Sequence, residues 1–210
     1  RNLTGKGGTM NDLVADELRV DINRFQEALE VEKSLPKAKA SVQELFWGEL
    51  SEALTDEFSV TPTVHNASTI ASMSKWYYSK DRGNKNIGLK LPVCRLEGRT
   101  VYLHTRLFNA VHYGLRVGDE SGAPLKVPDM KKRFSDDLGE GNAKADAHDD
   151  WLVCYYFNPE AGDAEKAINF DTFNNAAVGL IDDEIRRTLI KGIVAHQAEL
   201  AEKVKALPGQ

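Results

Sequence analysis

The tetrapeptide Glu30-Val31-Glu32-Lys33 contains residue types that could hydrolyse a phosphodiester bond. On a β-strand, two acids separated by one residue share a face, so they could hold a divalent metal ion while the lysine orients a water molecule. The apolar residues before the tetrapeptide recur every three or four positions, however, and this spacing predicts a helix. Because residues two apart on a helix do not face each other, the tetrapeptide is predicted to be a helix end without a catalytic role.

Polar side chains that alternate with apolar ones along three predicted strands form a more promising candidate site. A period of two places them together on one face of an antiparallel sheet. Basic groups with an aromatic ring among them suit a nucleic-acid backbone, because they contact phosphates without reading the sequence. Together with a basic run on a predicted helix, the candidate nucleic-acid-binding residues are Lys90, Tyr102, His104, Arg106, His112, Arg116, Lys131, Lys132 and Arg133. The alternative interpretation is that these side chains only form the solvated sides of a sheet and a helix.

Charge is distributed unevenly along the chain. The segment from Lys75 to Arg133 holds 13 Lys and Arg residues against 5 Asp and Glu residues, whereas the rest of the chain holds 14 against 27. Such segregation suggests one surface suited to a polyanion and another suited to a different partner. The alternative is that the flanking helices are acidic only because their outer faces are solvated.

Other kinds of chemistry have less support in the sequence. His148 lies in the acidic segment from Asp146 to Asp150, but a metal site needs ligands that the fold holds in place, and residues 139–150 are predicted to be a flexible loop. The chain has neither a nucleophile elbow nor a phosphate-binding glycine loop. We therefore expect no metal, no cofactor and no catalytic residue, while a hydrolase that uses His104 or His112 with an unidentified acid remains an alternative.

The composition is that of a soluble globular protein, since 41% of the 210 residues are hydrophobic and 28% are charged. No apolar run approaches the roughly 20 residues that span a bilayer. Cys94 and Cys154 lie in apolar runs and are predicted to be free thiols, which favours a cytoplasmic location. Residues 1–10 contain no apolar signal-peptide core and are interpreted as a disordered or vector-derived arm, which suggests a piece of a longer protein.

Residues 11–57 are predicted to form a helical hairpin. Helical spacing of apolar residues extends from Asn11 to Glu32 and again from Lys37 to Glu57, with Pro36 between them as a helix breaker. Two helices joined by a short connection usually pack antiparallel. Trp47 is predicted to be a packing residue. The apolar stripes of the two helices are Val14, Leu18, Ile22, Phe25 and Leu29, then Val42, Leu45, Phe46, Leu50, Ala53 and Leu54.

Residues 58–157 are predicted to form the sheet region. Alternation in Ile87–Val93, Val101–Arg106 and Val111–Val117 predicts an antiparallel meander with one buried face. Val64–Met73 is a further strand candidate. The segment Trp151–Phe157 is apolar almost throughout, which predicts a central strand covered on both faces. A short basic helix is predicted at residues 130–138.

Residues 158–210 are predicted to end in a long helix. The helix is expected from Asp182 to Ala206, with an apolar stripe at Ile185, Leu189, Ile193, Leu200 and Val204. The predicted fold is α+β, in which an antiparallel sheet of about four to six strands packs against an N-terminal helical hairpin and a long C-terminal helix. Residues 11–210 are predicted to form a single domain.

Several segments occur in an order that resembles a known family. The segment Trp76-Tyr77-Tyr78 is followed by NIGLKLPV, VHYGLRV, DWLVCYYF and NFDTFNN, and then by the closing helix. This order resembles the C-terminal accessory region of bacterial proteins in the PD-(D/E)XK nuclease superfamily, where a strand with a Tyr-Gly pair, here Tyr113-Gly114, precedes a Trp-led strand. The metal-binding acids of that superfamily belong to its nuclease core, and no residue of this chain corresponds to them.

The resemblance implies a non-enzymatic accessory or sensor domain that binds nucleic acid. It further implies a cytoplasmic, bacterial, nuclease-linked protein of phage defence. The alternative is a protein-interaction module that docks an enzyme partner through its acidic helices. Only the first of these functions depends on the basic residues of the sheet.

Overall fold

The computed structural model describes the chain over residues 14–15, 18, 21–79, 87–107, 110–139, 141, 148–157 and 167–209. The chain divides into two compact units, residues 1–38 and 39–210. The second unit combines a sheet with helices, and the predicted α+β class is confirmed. In chain order the named elements are α1 Ile22–Phe58, β1 Thr63–His65, α2 Ile70–Tyr77, β2 Ile87–Leu96, β3 Arg99–Leu107, β4 Val111–Gly118, α3 Pro128–Leu138, β5 Trp151–Tyr156, α4 Asn175–Gly179 and α5 Asp183–Lys205.

The strands form one antiparallel sheet in the order β1-β2-β3-β4-β5. Each strand pairs with the next in the sequence, so the predicted meander is confirmed. The prediction that β5 is central is wrong, because β5 lies at the edge among the described strands. Its two faces are nevertheless both covered, as predicted: Val153 belongs to the main core, whereas Trp151 and Cys154 form a separate buried cluster.

The main core lies between one face of the sheet and the helices. Phe46, Trp47 and Leu50 of α1 are fully buried in it, so Trp47 has the packing role that the sequence predicts. The Phe46 ring meets the rings of Trp47 and Phe157 edge to face, with centroids 5.0 and 5.2 Å apart. Burying side chains of this size stabilises the fold by about 1.5–3 kcal/mol each.

Buried polar contacts fix α5 on the sheet. The side-chain amide of Gln197 donates a hydrogen bond to Oγ1 of Thr105 on β3 at 2.8 Å. The hydroxyl of Tyr113 on β4 lies 2.7 Å from Nδ1 of His196. Because a buried polar group without a partner costs about 1–3 kcal/mol, these contacts define one position for the helix.

The ends of α5 agree with the prediction, but one residue of its predicted stripe does not. Asp182 caps the helix by accepting hydrogen bonds from two backbone amides. Ile185 is exposed, whereas the neighbouring Arg186 is only 2% exposed. The Arg186 guanidinium bonds Glu49 of α1 at 2.7 Å and Asp183 at 2.6 Å. The two carboxylates therefore stabilise the charged Arg186 in a buried position, where the helical spacing predicts an apolar residue.

The predicted N-terminal helical hairpin is wrong. Residues Ile22–Phe58 form one helix, α1, with Pro36 inside it. An interior proline costs a helix about 3 kcal/mol, but residues 29–43 contain no glycine or asparagine that would form a turn and are rich in Glu, Lys and Ala. Glu30 and Glu32 lie within this helix, so the prediction that they are helical rather than on a strand is confirmed, whereas the prediction that they end a helix is wrong.

Several residues of the predicted helical stripes are exposed. In the first unit, Ile22 is 73% exposed and Phe25 is 49% exposed. In the second unit, Leu45 is 52% exposed. Helical spacing shows that a helix is amphipathic, but it does not show that another element covers the stripe.

The strand candidate Val64–Met73 divides into two elements. Thr63–His65 forms the short strand β1, and α2 begins at Ile70. Thr69 and Ser72 form a reciprocal capping box, in which the Thr69 hydroxyl accepts from the Ser72 amide at 3.1 Å. Serine stands where such boxes usually carry Glu or Gln, which is why the sequence pattern does not indicate this helix start.

Two glycines allow neighbouring strands to approach closely. A β-carbon at Gly114 of β4 would lie 2.1 Å from the carbonyl oxygen of Val153 on β5, and one at Gly88 of β2 would lie 2.1 Å from that of Thr105 on β3. These distances are far inside van der Waals contact, and the obstacle is backbone. The strand positions at these two points therefore require glycine.

We predict that Gly114→Ala lowers the free energy of unfolding by about 1–3 kcal/mol or more, because β4 and β5 must move apart to admit the methyl group. Gly192→Ala is the control, since its β-carbon on α5 would meet nothing within 4 Å. Replacing a helical glycine should stabilise the protein by up to about 1 kcal/mol. Chemical denaturation of both variants measures the difference, and equal stability of the two would contradict the described strand spacing.

Candidate functional site

The predicted sheet residues share the face opposite the main core, here called the second face. Strand register brings them into adjacent positions across β2, β3 and β4, where facing β-carbons lie about 4.5–5.5 Å apart. The facing pairs are Lys90–His104, Tyr102–Arg116 and Arg106–His112. Gly88 and Gly114 lie on the same face, opposite Arg106 and His104 respectively.

The second face is more buried than the sequence predicts. His104 is fully buried, His112 is 6% exposed and Arg116 is 8% exposed, so the expectation of an open, solvated sheet face is wrong for these residues. The indole of Trp151 lies parallel to the His104 ring at 5.6 Å and tilted against the His112 ring at 5.5 Å. The pairing of β4 with β5 shifts register between Leu115 and Arg116, and after this shift Trp151 lies opposite Arg116.

Arg116 connects the centre of the second face to the start of β5. Its Nε donates a hydrogen bond to Oδ2 of Asp150 at 2.8 Å, and Nη2 contacts the same oxygen. Its guanidinium lies 5.6 Å from the centre of the Trp151 ring, and Nη1 donates to Nδ1 of His104 at 3.3 Å. The sequence analysis does not identify Asp150 as a site residue. The sequence feature that could have identified Asp150 is its position directly before the apolar strand.

Burial and the neighbouring positive charges keep the histidines of the second face neutral. Burial, and next the charge of Lys90, lower the pKa of His65 to about 4. Burial also lowers the pKa of His112 to about 4, although its hydrogen bond to the Ala110 carbonyl opposes the shift. The pKa of His104 lies well below its ordinary value because of burial and the neighbouring Arg116. Protonating any of these rings would add charge to a poorly solvated, already positive region.

Among the described residues, positive charge exceeds negative charge on the second face. The cations there are Lys90, Arg106 and Arg116, and Asp150 forms an ion pair with Arg116. Burial, and after it the charge of Arg116, lower the pKa of both Lys90 and Arg106. Lys90 donates a hydrogen bond to the Gly122 carbonyl at 2.8 Å. The half-buried Arg106 guanidinium has no hydrogen bond or ion pair within the described part of the chain.

Several buried nitrogen atoms of this face lack hydrogen-bond partners in the described structure. They are Nε2 of His104, Nε2 of His112, Nε1 of Trp151 and Nε of Arg106. Since Arg116 donates to Nδ1 of His104, the neutral ring carries its proton on Nε2. Three of the four atoms are therefore N–H donors, and such donors bind anionic oxygen.

The basic run on α3 is separate from the second face. Helix α3 buries Met130, Phe134 and Leu138 in the main core, whereas Trp151 on the second face belongs to the other buried cluster. Lys131 is half-buried, and Lys132 and Arg133 are exposed. Arg133 pairs with Glu97 at 2.6 Å. The structure thus does not bring these three predicted residues together with the other six.

The structure gives little support to other chemistry. Among the described residues, no group of three or more His, Cys, Asp and Glu side chains is arranged to hold a metal ion. His148 and Asp149 are exposed and border a cleft of about 300 Å³ beside Lys126, whose positive charge disfavours a cation. Asp150 bonds Arg116 rather than a histidine, so the hydrolase alternative gains no catalytic pair in the described residues.

The two cysteines lie far apart in the sheet. Cys94 and Cys154 are not joined in a disulfide, as predicted. They lie on β2 and β5 with two strands between them, a separation of about 14 Å that no disulfide spans.

None of the described helices has the length and apolar character needed to cross a bilayer.

Comparison of the chain with protein-family models, with curated proteins and with solved structures finds no match. The resemblance to the accessory region of PD-(D/E)XK nucleases is therefore still a prediction from the sequence segments. The chemistry of the site has to be argued from its own residues.

We predict that stability falls as the pH is lowered from 7 to 5. The pKa of His65 and of His112 is about 4 in the folded protein, below the ordinary value of 6.5. Between pH 6.5 and pH 4 the unfolded chain therefore binds more protons than the folded protein does. The free energy of unfolding consequently decreases as the pH is lowered. For the buried His112 alone, the loss at pH 5 is about 2 kcal/mol.

Denaturant unfolding at a series of pH values measures this dependence. His112→Gln should flatten it, whatever its effect on stability at pH 7, because one titrating group is removed. His148→Gln is the control, since that histidine is exposed. The attribution to His112 would be contradicted if the pH dependence of the free energy of unfolding were unchanged in His112→Gln, or equally reduced in His148→Gln.

Proposed function

We propose that the protein is a non-enzymatic domain that binds nucleic acid through phosphate contacts on the second face. The observation that carries the proposal is Arg106. Its half-buried guanidinium has no hydrogen bond or ion pair among the described residues, and the charge of Arg116 acts on it more strongly than the opposing charge of Asp150. A half-buried charge without a hydrogen-bonded counter-ion is costly, and a phosphate would supply both a directly paired charge and hydrogen-bond acceptors.

Burial determines which residues contact the ligand. Lys90, Tyr102 and Arg106 are half-buried and retain exposed surface, so they form the contact region. His104 and Arg116 are buried, so they support the contact residues and contribute to the charge of the region without contacting the ligand. The two cations of this region, Lys90 and Arg106, would contact one or two phosphates.

Tyr102 has a limited role in this arrangement. Its hydroxyl donates a hydrogen bond to the Asp119 carbonyl at 3.2 Å, and Nζ of Lys90 lies 5.9 Å from its ring centre. These contacts hold the ring against the loop after β4. Tyr102 therefore shapes the edge of the contact region, and binding by Lys90 and Arg106 depends on charge rather than on base sequence.

The biological setting is proposed from the resemblance alone. A domain of this kind would act as an accessory or sensor part of a bacterial, nuclease-linked protein of phage defence in the cytoplasm. The exposed Lys132 would add long-range attraction for a polyanion. The catalytic step would belong to another domain or chain.

We predict that Arg106→Gln weakens nucleic-acid binding about tenfold and reduces the salt slope by about one, as expected for the loss of one phosphate contact. Labelled single- and double-stranded DNA and RNA are titrated at about 50 and 200 mM salt. The control Arg187→Gln removes the same charge from an exposed position on α5 and should bind as the wild type does. Arg116 is unsuitable for charge reversal, because a carboxylate there would face Asp150 in a buried position.

Two outcomes would contradict the proposal. One is that the wild-type protein binds none of the four nucleic acids at the lower salt concentration. The other is that Arg106→Gln and Arg187→Gln bind equally well, which would place the contact elsewhere.

A further inference from the structure

A groove of about 700 Å³ lies between α1 and α5 within the second unit. Its floor is formed by small and apolar side chains, including Ala53 of α1 and Ile190 and Val194 of α5. This volume falls within the range of about 300–1,000 Å³ that ligand sites occupy. Both walls are helices, so the groove is elongated and suits an elongated occupant.

The two walls of the groove carry opposite charges. Glu52 and Asp56 lie one helical turn apart on α1, and Arg187 and Lys191 lie one turn apart on α5. All four side chains are exposed. Among the described residues, no ion pair joins Glu52 or Asp56 to Arg187 or Lys191, and the pair that links the two helices is Arg186–Glu49. These four charged side chains are therefore available to an occupant.

Arg186 fixes the distance between the walls. Its buried guanidinium bonds Glu49 on α1, Asp183 on its own helix and the Leu180 carbonyl at 2.7, 2.6 and 2.7 Å. A pre-formed groove binds more tightly than one that must be ordered on binding.

A neighbouring cleft extends the groove along α1. This cleft has a volume of about 570 Å³ and shares Glu49 and Glu52 with the groove. Leu45, which is 52% exposed, and Ile70 border it. Leu45 and Glu52 are about 10 Å apart along the helix axis, so the combined surface offers an apolar contact beside the acidic wall.

We propose that this groove docks an amphipathic helix of a partner protein. The partner helix carries Lys or Arg residues one turn apart along the edge that faces Glu52 and Asp56. Its other edge carries Asp or Glu residues opposite Arg187 and Lys191, and apolar residues lie between the two edges. Helix-in-groove recognition combines such an apolar stripe with flanking charges. In a symmetric dimer the groove would face itself and leave its floor unfilled.

The test uses a labelled synthetic helix of about five turns, with Lys on one edge, Glu on the other and Leu between them. Fluorescence anisotropy measures its binding to the full chain. Glu52→Lys with Asp56→Lys should weaken binding at least about tenfold, and a probe with Glu on both edges should then prefer this variant. The control Asp136→Lys with Asp137→Lys makes the same change at exposed positions of α3 and should bind the first probe as the wild type does.

Three outcomes would overturn the inference. They are no binding of the probe to the wild type, an equal loss in the α3 control, and a light-scattering mass that shows a dimer abolished by the Glu52 and Asp56 changes. The inference is independent of nucleic-acid binding, because the groove lies on the helical side of the sheet.

Discussion

The ion pair between Arg116 and Asp150 is the interaction on which the second face depends. It joins β4 to the turn before β5, and the Trp151 ring lies against both the Arg116 guanidinium and the His104 ring. Backbone hydrogen bonds from Val117 to Asp150 and from Val127 to Asp149 hold the turn in place. Removing one partner of a buried pair costs about 3–5 kcal/mol, so this position tolerates little change.

The same pair determines the electrostatics of the face. Asp150 forms its ion pair with Arg116, and its effect on Arg106 is weaker than that of Arg116. The charge of Lys90 and Arg106 therefore lies in a region where burial limits screening by water. An anion is the natural complement of such a region, whereas protonation of a histidine would add to the repulsion. The proposed anion binding and the neutral histidines therefore have the same physical origin.

Periodicity in the sequence predicts the strands and α5 well, because each pattern depends on residues that are close in the chain. The burial of His104 and Arg116 is not predicted, because the covering residue Trp151 comes from a strand far along the sequence. Pro36 shows the opposite error: a local breaker signal is outweighed by the helix-forming residues around it. Asp150 and Glu49 are missed since their arginine partners lie 34 and 137 residues away.

The central claim is that the Arg106 guanidinium binds phosphate. Side-chain NMR of the ¹⁵N-labelled protein during titration with a short single-stranded oligonucleotide observes the arginine Nε–H groups directly. The account predicts that the Arg106 Nε–H signal shifts further than those of Arg187 and Arg133, in proportion to the bound fraction. An Arg106 signal that stays in place while the oligonucleotide binds would contradict the claim.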